Sequence, residues 1–297
     1  MIEFNKIYST PAELVKILQD RGLIVDDTLK TEKYITNIGY YRLSAYMYPF
    51  LQEPKQDHRF KPGTTFLKVL RLYSFDKKLR ILLFNEIEKI EIAFRQAVAN
   101  ITSEMSGNIF WMTDISSYKS NYHAQKSLSL IDNEYKKSTE DFIKHFKNTY
   151  VNSYPPAWIL TEILPLGNIT WLYSNLANQR IRKAIAKRFA LHAPVLDSWM
   201  TIITLTRNSC CHHARMWNKN YPIISNDMKN MTRPWINTSI NKRRTFYNIC
   251  IIKYFLDVLS PNNDFKDKLK SLLLAFPEID LAAMGFPIKW EEEPLWQ

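Results

Sequence analysis

The sequence predicts an all-α protein, on three observations. Its 297 residues hold only 6 glycines against 16 tyrosines, 16 phenylalanines and 8 tryptophans, a poor composition for tight-turned sheets or a phosphate loop. Apolar side chains recur at steps of three and four in one segment after another, the period of an amphipathic helix. An apolar content of 46% suffices for a sizeable core, which excludes disorder as the main theme.

The elements follow in order. Ser9-Thr10-Pro11-Ala12-Glu13 is a capped, acidic helix start, and Leu14, Ile17 and Leu18 carry the pattern to Arg21-Gly22. A second helix is expected from Thr31 to Leu51, then a loop from Gln52 to Gly63 holding Pro54 and Pro62. From Thr65 to Thr102, Val69, Tyr73, Leu79, Leu83, Ile87, Ile90, Phe94 and Val98 predict a long rod or two abutting helices. Glu88, Glu91 and Arg95 share its other face, either as a solvated pair or as carboxylates that orient an arginine or histidine of a site. Residues 107–154 are polar and aromatic; Pro155-Pro156 breaks the chain, and a helix from Ala157 stops near Pro165-Leu166-Gly167. The next segment, Ile169 to Phe189, ends in Arg180, Arg182, Lys183, Lys187 and Arg188, five cations within nine residues on an expected helix face. They form either a solvated face or a track for an RNA backbone. Residues 195–217 form a further helix. An irregular stretch follows Pro222, then a helix from Asn241 to Leu259 headed by Lys242-Arg243-Arg244, and a last one from Phe265 to Phe276. No repeat or linker divides the chain. The simplest reading is one compact body, with an N-terminal helical extension over 1–60, a helical core over 61–225 and a C-terminal helical extension over 226–297.

A formal charge of +11 and a pI near 9.4 favour a polyanion over an acidic protein surface or a neutral metabolite as partner. Three cysteines, two of them adjacent, make no disulfide framework. No basic-then-apolar leader opens Met1 to Thr10, and no apolar run approaches the roughly 18 residues of a membrane span. A cytoplasmic protein without membrane contact is expected.

Chemistry concentrates in Thr206-Arg207-Asn208-Ser209-Cys210-Cys211-His212-His213-Ala214-Arg215-Met216-Trp217-Asn218. Arginine offers a fixed fork of donors that fits a phosphodiester, and histidine titrates near neutrality. On a helix turning about 100° per residue, Thr201, Thr204, Asn208, His212 and Arg215 form a polar stripe. Leu196, Trp199, Ile203, Thr206, Cys210, His213 and Trp217 form an apolar one. Asn208 and His212 are thus neighbours, whereas Arg207 lies at about 140° from His212. His213 reads as a core histidine. Arg215 either pairs with an acidic neighbour or offers a second phosphate ligand. Cys210 and His213 could share an ion, but no second ligand pair follows at finger-like spacing, so no metal and no cofactor is expected.

The block Arg207-Asn208-x-x-x-His212 resembles the signature of the HEPN superfamily of helical ribonucleases, and within it the bacterial Abi-like (AbiD/AbiF-type) abortive-infection proteins. Arg21-Gly22-Leu23, Ile38-Gly39-Tyr40-Tyr41-Arg42-Leu43-Ser44, Leu72-Tyr73-x-Phe75-Asp76-x-x-Leu79-Arg80, Glu88-x-x-Glu91-x-x-x-Arg95 and Pro156-Ala157-Trp158 stand in that family's order. The resemblance implies a HEPN-like bundle with added terminal helices and a homodimer with a composite site. It also implies a metal-independent endoribonuclease toxin of phage defence, which leaves 2′,3′-cyclic phosphates and is open to restraint by a regulatory RNA or antitoxin. Arg207, Asn208 and His212 are then catalytic. Glu88, Glu91, Arg95, His213 and Arg215 support them, and Arg180, Arg182, Lys183, Lys187, Arg188, Lys242, Arg243 and Arg244 hold RNA. The alternative is a non-catalytic, antitoxin-like RNA-binding module.

Overall fold

Twelve α-helices and no strand make up the described residues of the computed structural model, which are residue 3, residues 7–226 and residues 231–297. The all-α expectation holds. Part of the segment read as leaderless (residues 1, 2 and 4–6) and residues 227–230 of the expected irregular stretch lie outside the described residues. No helix among them is long and apolar enough to cross a membrane.

The chain divides into two units, 1–79 with 272–279, and 80–271 with 280–297. In the smaller, α1 (Pro11–Asp20) starts on a capping box in which the Thr10 hydroxyl accepts from the Glu13 N–H and Glu13 accepts from Thr10 N. Then come α2 (Thr28–Ile38) and α3 (Tyr40–Met47). The sequence reads these two as one helix; Gly39, at φ +92°, breaks it in a conformation that side-chain-bearing residues avoid. The first turns of α4 (Phe66–Ser106) close this core with Val69, Leu72 and Phe75. There the Tyr46 hydroxyl donates to the fully buried Asp76 carboxylate at 2.7 Å, which meets the demand that a buried charge find a partner.

The larger unit takes α4 from Arg80 onward, where Leu83, Ile87, Ile90, Phe94 and Val98 are all fully buried. Next are α5 (Asn121–Lys137), α6 (Asp141–Thr149), α7 (Ala157–Ile163), α8 (Leu166–Ser174), α9 (Gln179–Arg188), α10 (Ala193–Cys211), α11 (Thr245–Leu259) and most of α12 (Phe265–Leu274). Ile169 to Phe189 is therefore two helices, because the Asn178 carboxamide accepts from the N–H groups of Arg180 and Ile181 and starts a new one. Lys242-Arg243-Arg244 precede α11 rather than head it. Helix α10 packs against α8, α9 and α11 and buries Leu196, Met200 and Ile203 completely. At ~1.5–3 kcal/mol for each such side chain, this packing fixes the helix that carries the Arg-Asn-His block.

Candidate functional site

Helix α10 ends earlier than its sequence predicts. The expected helix covers 195–217, but α10 stops at Cys211 and His212 is its C-cap. His213 takes φ +55°; its N–H bonds the Cys210 carbonyl at 3.1 Å and the Ala214 N–H bonds the Ser209 carbonyl at 2.8 Å. This pair of bonds around a left-handed residue is the Schellman motif, formed here without the usual glycine. The projected stripes therefore fail beyond the cap residue His212. His213 is exposed rather than in the core, and Arg215 leaves the polar stripe. Within the helix the polar stripe is also less open than it reads, since Thr204 meets Thr170 of α8 at 3.3 Å.

Asn208 and His212 are both exposed and form no side-chain hydrogen bond among the described residues. Arg207 is half-buried and held. Its Nε donates to Glu91 Oε2 at 3.3 Å, and its guanidinium lies 5.8 Å from the Phe84 ring. The other carboxylate oxygen, Oε1, accepts from Arg95 Nη2 at 2.5 Å and Nε at 3.2 Å. Arg95 Nη1 in turn donates to the carbonyls of Thr161 and Leu164 at 2.5 Å, where α7 leaves C-terminal carbonyls without helical partners. Of the three α4 residues singled out from sequence, Glu91 and Arg95 thus join Arg207, while Glu88 is exposed and takes no part in this chain of bonds. One carboxylate between two guanidinium groups leaves this cluster with net positive charge.

Sequence reasoning missed the groups that hold the segment after the helix. Arg80, only 5% exposed, donates to the Ala214 carbonyl at 3.5 Å. Lys219 Nζ donates to Ser209 Oγ at 2.8 Å, placing another cation against the block. Thr245 Oγ1 donates to the Met216 carbonyl at 2.6 Å, and Asn248 Nδ2 to Thr206 Oγ1 at 2.9 Å. These bonds join residues up to 134 positions apart, and no periodicity encodes such pairing.

The proposed RNA-holding cations divide. Arg180, Lys183, Lys187 and Arg188 of α9 are exposed, and the first three recur at steps of three and four. Arg182 is 8% exposed and pairs with Asp197 at 2.9 Å. Arg243 Nη1 donates to the Tyr221 and Pro222 carbonyls at 3.1 and 2.8 Å, and Arg244 Nη1 to Asn218 Oδ1 at 2.8 Å. Both therefore brace the segment after the block, and Lys242 is engaged as well.

An all-helical protein with an exposed asparagine and histidine at the end of a buried helix, beside a carboxylate-held arginine, is what these helices define. The chain belongs to the Abi-like protein family, which matches it over residues 33–218. That span contains Glu91, Arg95, Arg207 and His212 and ends at Asn218, short of Lys242, Arg243 and Arg244. No curated protein and no solved structure matches the chain.

Proposed function

We propose that the protein is a metal-independent endoribonuclease of the HEPN superfamily, acting as a toxin in the abortive-infection response that its family suggests. The observation that carries this reading is the pairing of opposites at the α10 terminus: Arg207 is braced by Glu91, whereas Asn208 and His212 are exposed with their polar atoms open. A group that binds a fixed phosphate gains from being held; one that exchanges protons must stay accessible.

His212 accepts the proton of a ribose 2′-OH, and the 2′-oxygen attacks the adjacent phosphorus. Arg207 stabilises the charge that gathers on the phosphoryl oxygens. The P–O5′ bond breaks, an acid protonates the leaving oxygen, and a 2′,3′-cyclic phosphate and a 5′-OH remain. Asn208, one turn before His212, orients the imidazole or the phosphate. Proton transfer of this kind contributes ~10²- to 10⁴-fold. DNA lacks the 2′-OH and is not cut by this route.

The acid is the His212 of a second copy. Ile81, Phe84 and Ile92 of α4 are 59%, 42% and 54% exposed and recur on one side of the helix with Glu88, beside the Arg207 guanidinium. A second copy seated there about a two-fold axis covers this apolar face and brings two arginines and two histidines into one cleft.

The experiment is incubation of purified wild-type and His212→Ala protein with a mixed RNA pool in EDTA, followed by mapping of new ends. Cleavage by wild type alone with cyclic-phosphate termini is expected. Tight RNA binding without cleavage sinks the nuclease and assigns the protein to the non-catalytic RNA-binding class.

A further inference from the structure

At the opposite end of α10 from His212, an open cleft of about 640 Å³ is lined by Lys119, Trp171, Arg182, Asp197, Thr201 and Asn226. Its volume lies within the range of small-molecule sites, ~300–1,000 Å³. The charge in it is fixed and unbalanced. Asp197 is fully engaged, one oxygen by Arg182 Nη2 at 2.9 Å and the other by the Ser174 hydroxyl. Arg182 is more than nine-tenths buried over the Tyr173 ring, and its Nε has no hydrogen-bond partner among the described residues. Lys119 Nζ gives one bond, to the Ser174 carbonyl at 2.5 Å, and keeps two N–H groups for a ligand. Burial and the nearby Arg182 charge push the Lys119 ammonium below the usual lysine range, against the smaller opposing pull of Asp197. An anion beside it relieves both penalties. Trp171 adds an aromatic surface with Lys126 Nζ 3.8 Å from its ring, and Lys126 has no ion-pair partner among the described residues. The Asn226 amide nitrogen donates to the Pro194 carbonyl at 3.2 Å, which leaves its carbonyl oxygen as an acceptor.

Two cations set against one spent carboxylate, an aromatic wall and an amide acceptor together match a nucleotide: a phosphate, a base face and a base edge. We propose that this cleft holds one nucleotide of a single-stranded RNA, with its phosphate on Lys119 and its base against Trp171. The inference rests on the reading that RNA is the partner and deepens it by locating a binding site remote from the cut. Thr201 and His212 are eleven residues apart, which on one α-helix is about 16 Å of rise and about 20° of rotation. Cleft and histidine therefore lie on one side of α10, within reach of one short strand. The exposed Arg180, Lys183 and Lys187 belong to α9, the same helix that buries Arg182.

The test uses the full-length chain carrying His212→Ala, so that RNA survives, and a labelled single-stranded RNA of about ten nucleotides. Lys119→Glu is expected to weaken binding by about tenfold or more. Lys137→Glu, a charge reversal at a lysine whose side chain is 73% exposed at the far end of α5, should change it less than about twofold. Photocrosslinking of the same RNA containing 5-iodouridine should mark the peptide that holds Trp171. Equal effects of the two reversals, or crosslinks only outside the cleft, overturn the proposal. If the wild-type enzyme still cleaves in that case, the nuclease reading stands without the cleft. A strong Lys119→Glu effect in a protein that never cleaves RNA keeps the cleft and removes the nuclease.

Discussion

Arg207 and Glu91 are joined across 116 positions of sequence by a 3.3 Å bond from Nε to Oε2. Through this carboxylate, α10 is linked to Arg95 and thereby to the end of α7. A long guanidinium side chain at the edge of a helix otherwise samples many rotamers, at ~2 kcal/mol of entropy when it is fixed. Glu91 takes up that cost before any phosphate arrives, and its own charge is more than matched by two arginines. The pair thus converts a mobile cation into a positioned one, the form in which charge lowers a reaction barrier.

Glu91→Gln keeps the shape of the side chain and removes the charge. Arg207 is then loosely held, and cleavage should fall by about 10²-fold, the scale of a misplaced reacting group. RNA affinity should change much less, because Arg207 keeps its own charge. Single-turnover cleavage and equilibrium binding, measured side by side, check this split; an equal loss in both would make Glu91 a purely structural residue.

The left-handed His213 supplies a stability prediction. A side-chain-bearing residue costs roughly 1–2 kcal/mol there, and glycine is the residue that Schellman turns favour. His213→Gly should retain cleavage and raise the melting temperature, while the β-branched His213→Val should lower it. His212→Ala should instead abolish cleavage with little change in melting. Melting curves paired with an RNA cleavage assay separate the two adjacent histidines.

Much of this arrangement is legible in sequence, for identifiable reasons. The buried stripe of α4 is long and strictly periodic, so tertiary packing reinforces what period alone predicts. Glu91 and Arg95 share a helix face and are found together. The end of α10 is not legible: Cys210-Cys211-His212-His213 contains no glycine or proline, and the stop is imposed by bonds from Arg80 to Ala214 and from Thr245 to Met216. Likewise Arg182, Arg243 and Arg244 look like their exposed neighbours in the one-dimensional chain. Only the fold shows Arg182 spent on Asp197, and Arg243 and Arg244 spent on carbonyls and on Asn218.

That division sorts the cations for RNA binding. Replacing Arg180, Lys183 and Lys187 together with glutamine should weaken binding uniformly across RNA sequences. It should also flatten the slope of log K against log salt by about 0.7 for each phosphate that the variant no longer neutralises. Arg243→Gln should act through stability instead, lowering the melting temperature and leaving the salt slope unchanged. Binding titrations at several salt concentrations decide between the two behaviours.

Acid sensitivity follows from Glu86, whose side chain is fully buried. Burial pushes its carboxyl up, but bonds from Lys89 at 2.7 Å and Lys268 at 3.1 Å outweigh it and hold the group below the usual glutamate range. A carboxyl depressed in the folded state stabilises the fold above its unfolded value, ~4.3, and loses that contribution as pH falls through the folded value. Glu86→Gln should therefore melt lower than the parent at neutral pH, and the two curves should converge in acid. A gap that stays constant with pH would show that ionisation of Glu86 is not what stabilises the fold.

A composite cleft makes a prediction that a single-chain site does not. His212→Ala protein should be inactive alone. Mixed with wild-type protein and allowed to exchange subunits, it forms heterodimers that keep only one of the two histidines, so activity should fall below the wild-type share of the mixture. Phe84→Asp in the His212→Ala chain should prevent that inhibition by placing a charge on the apolar face of α4, where Phe84 is 42% exposed beside Arg207. In sedimentation the Phe84→Asp protein should be a monomer. Cleavage by that monomer with His212 intact would place both proton-transfer groups in one chain, with the exposed His213 beside His212 as the second.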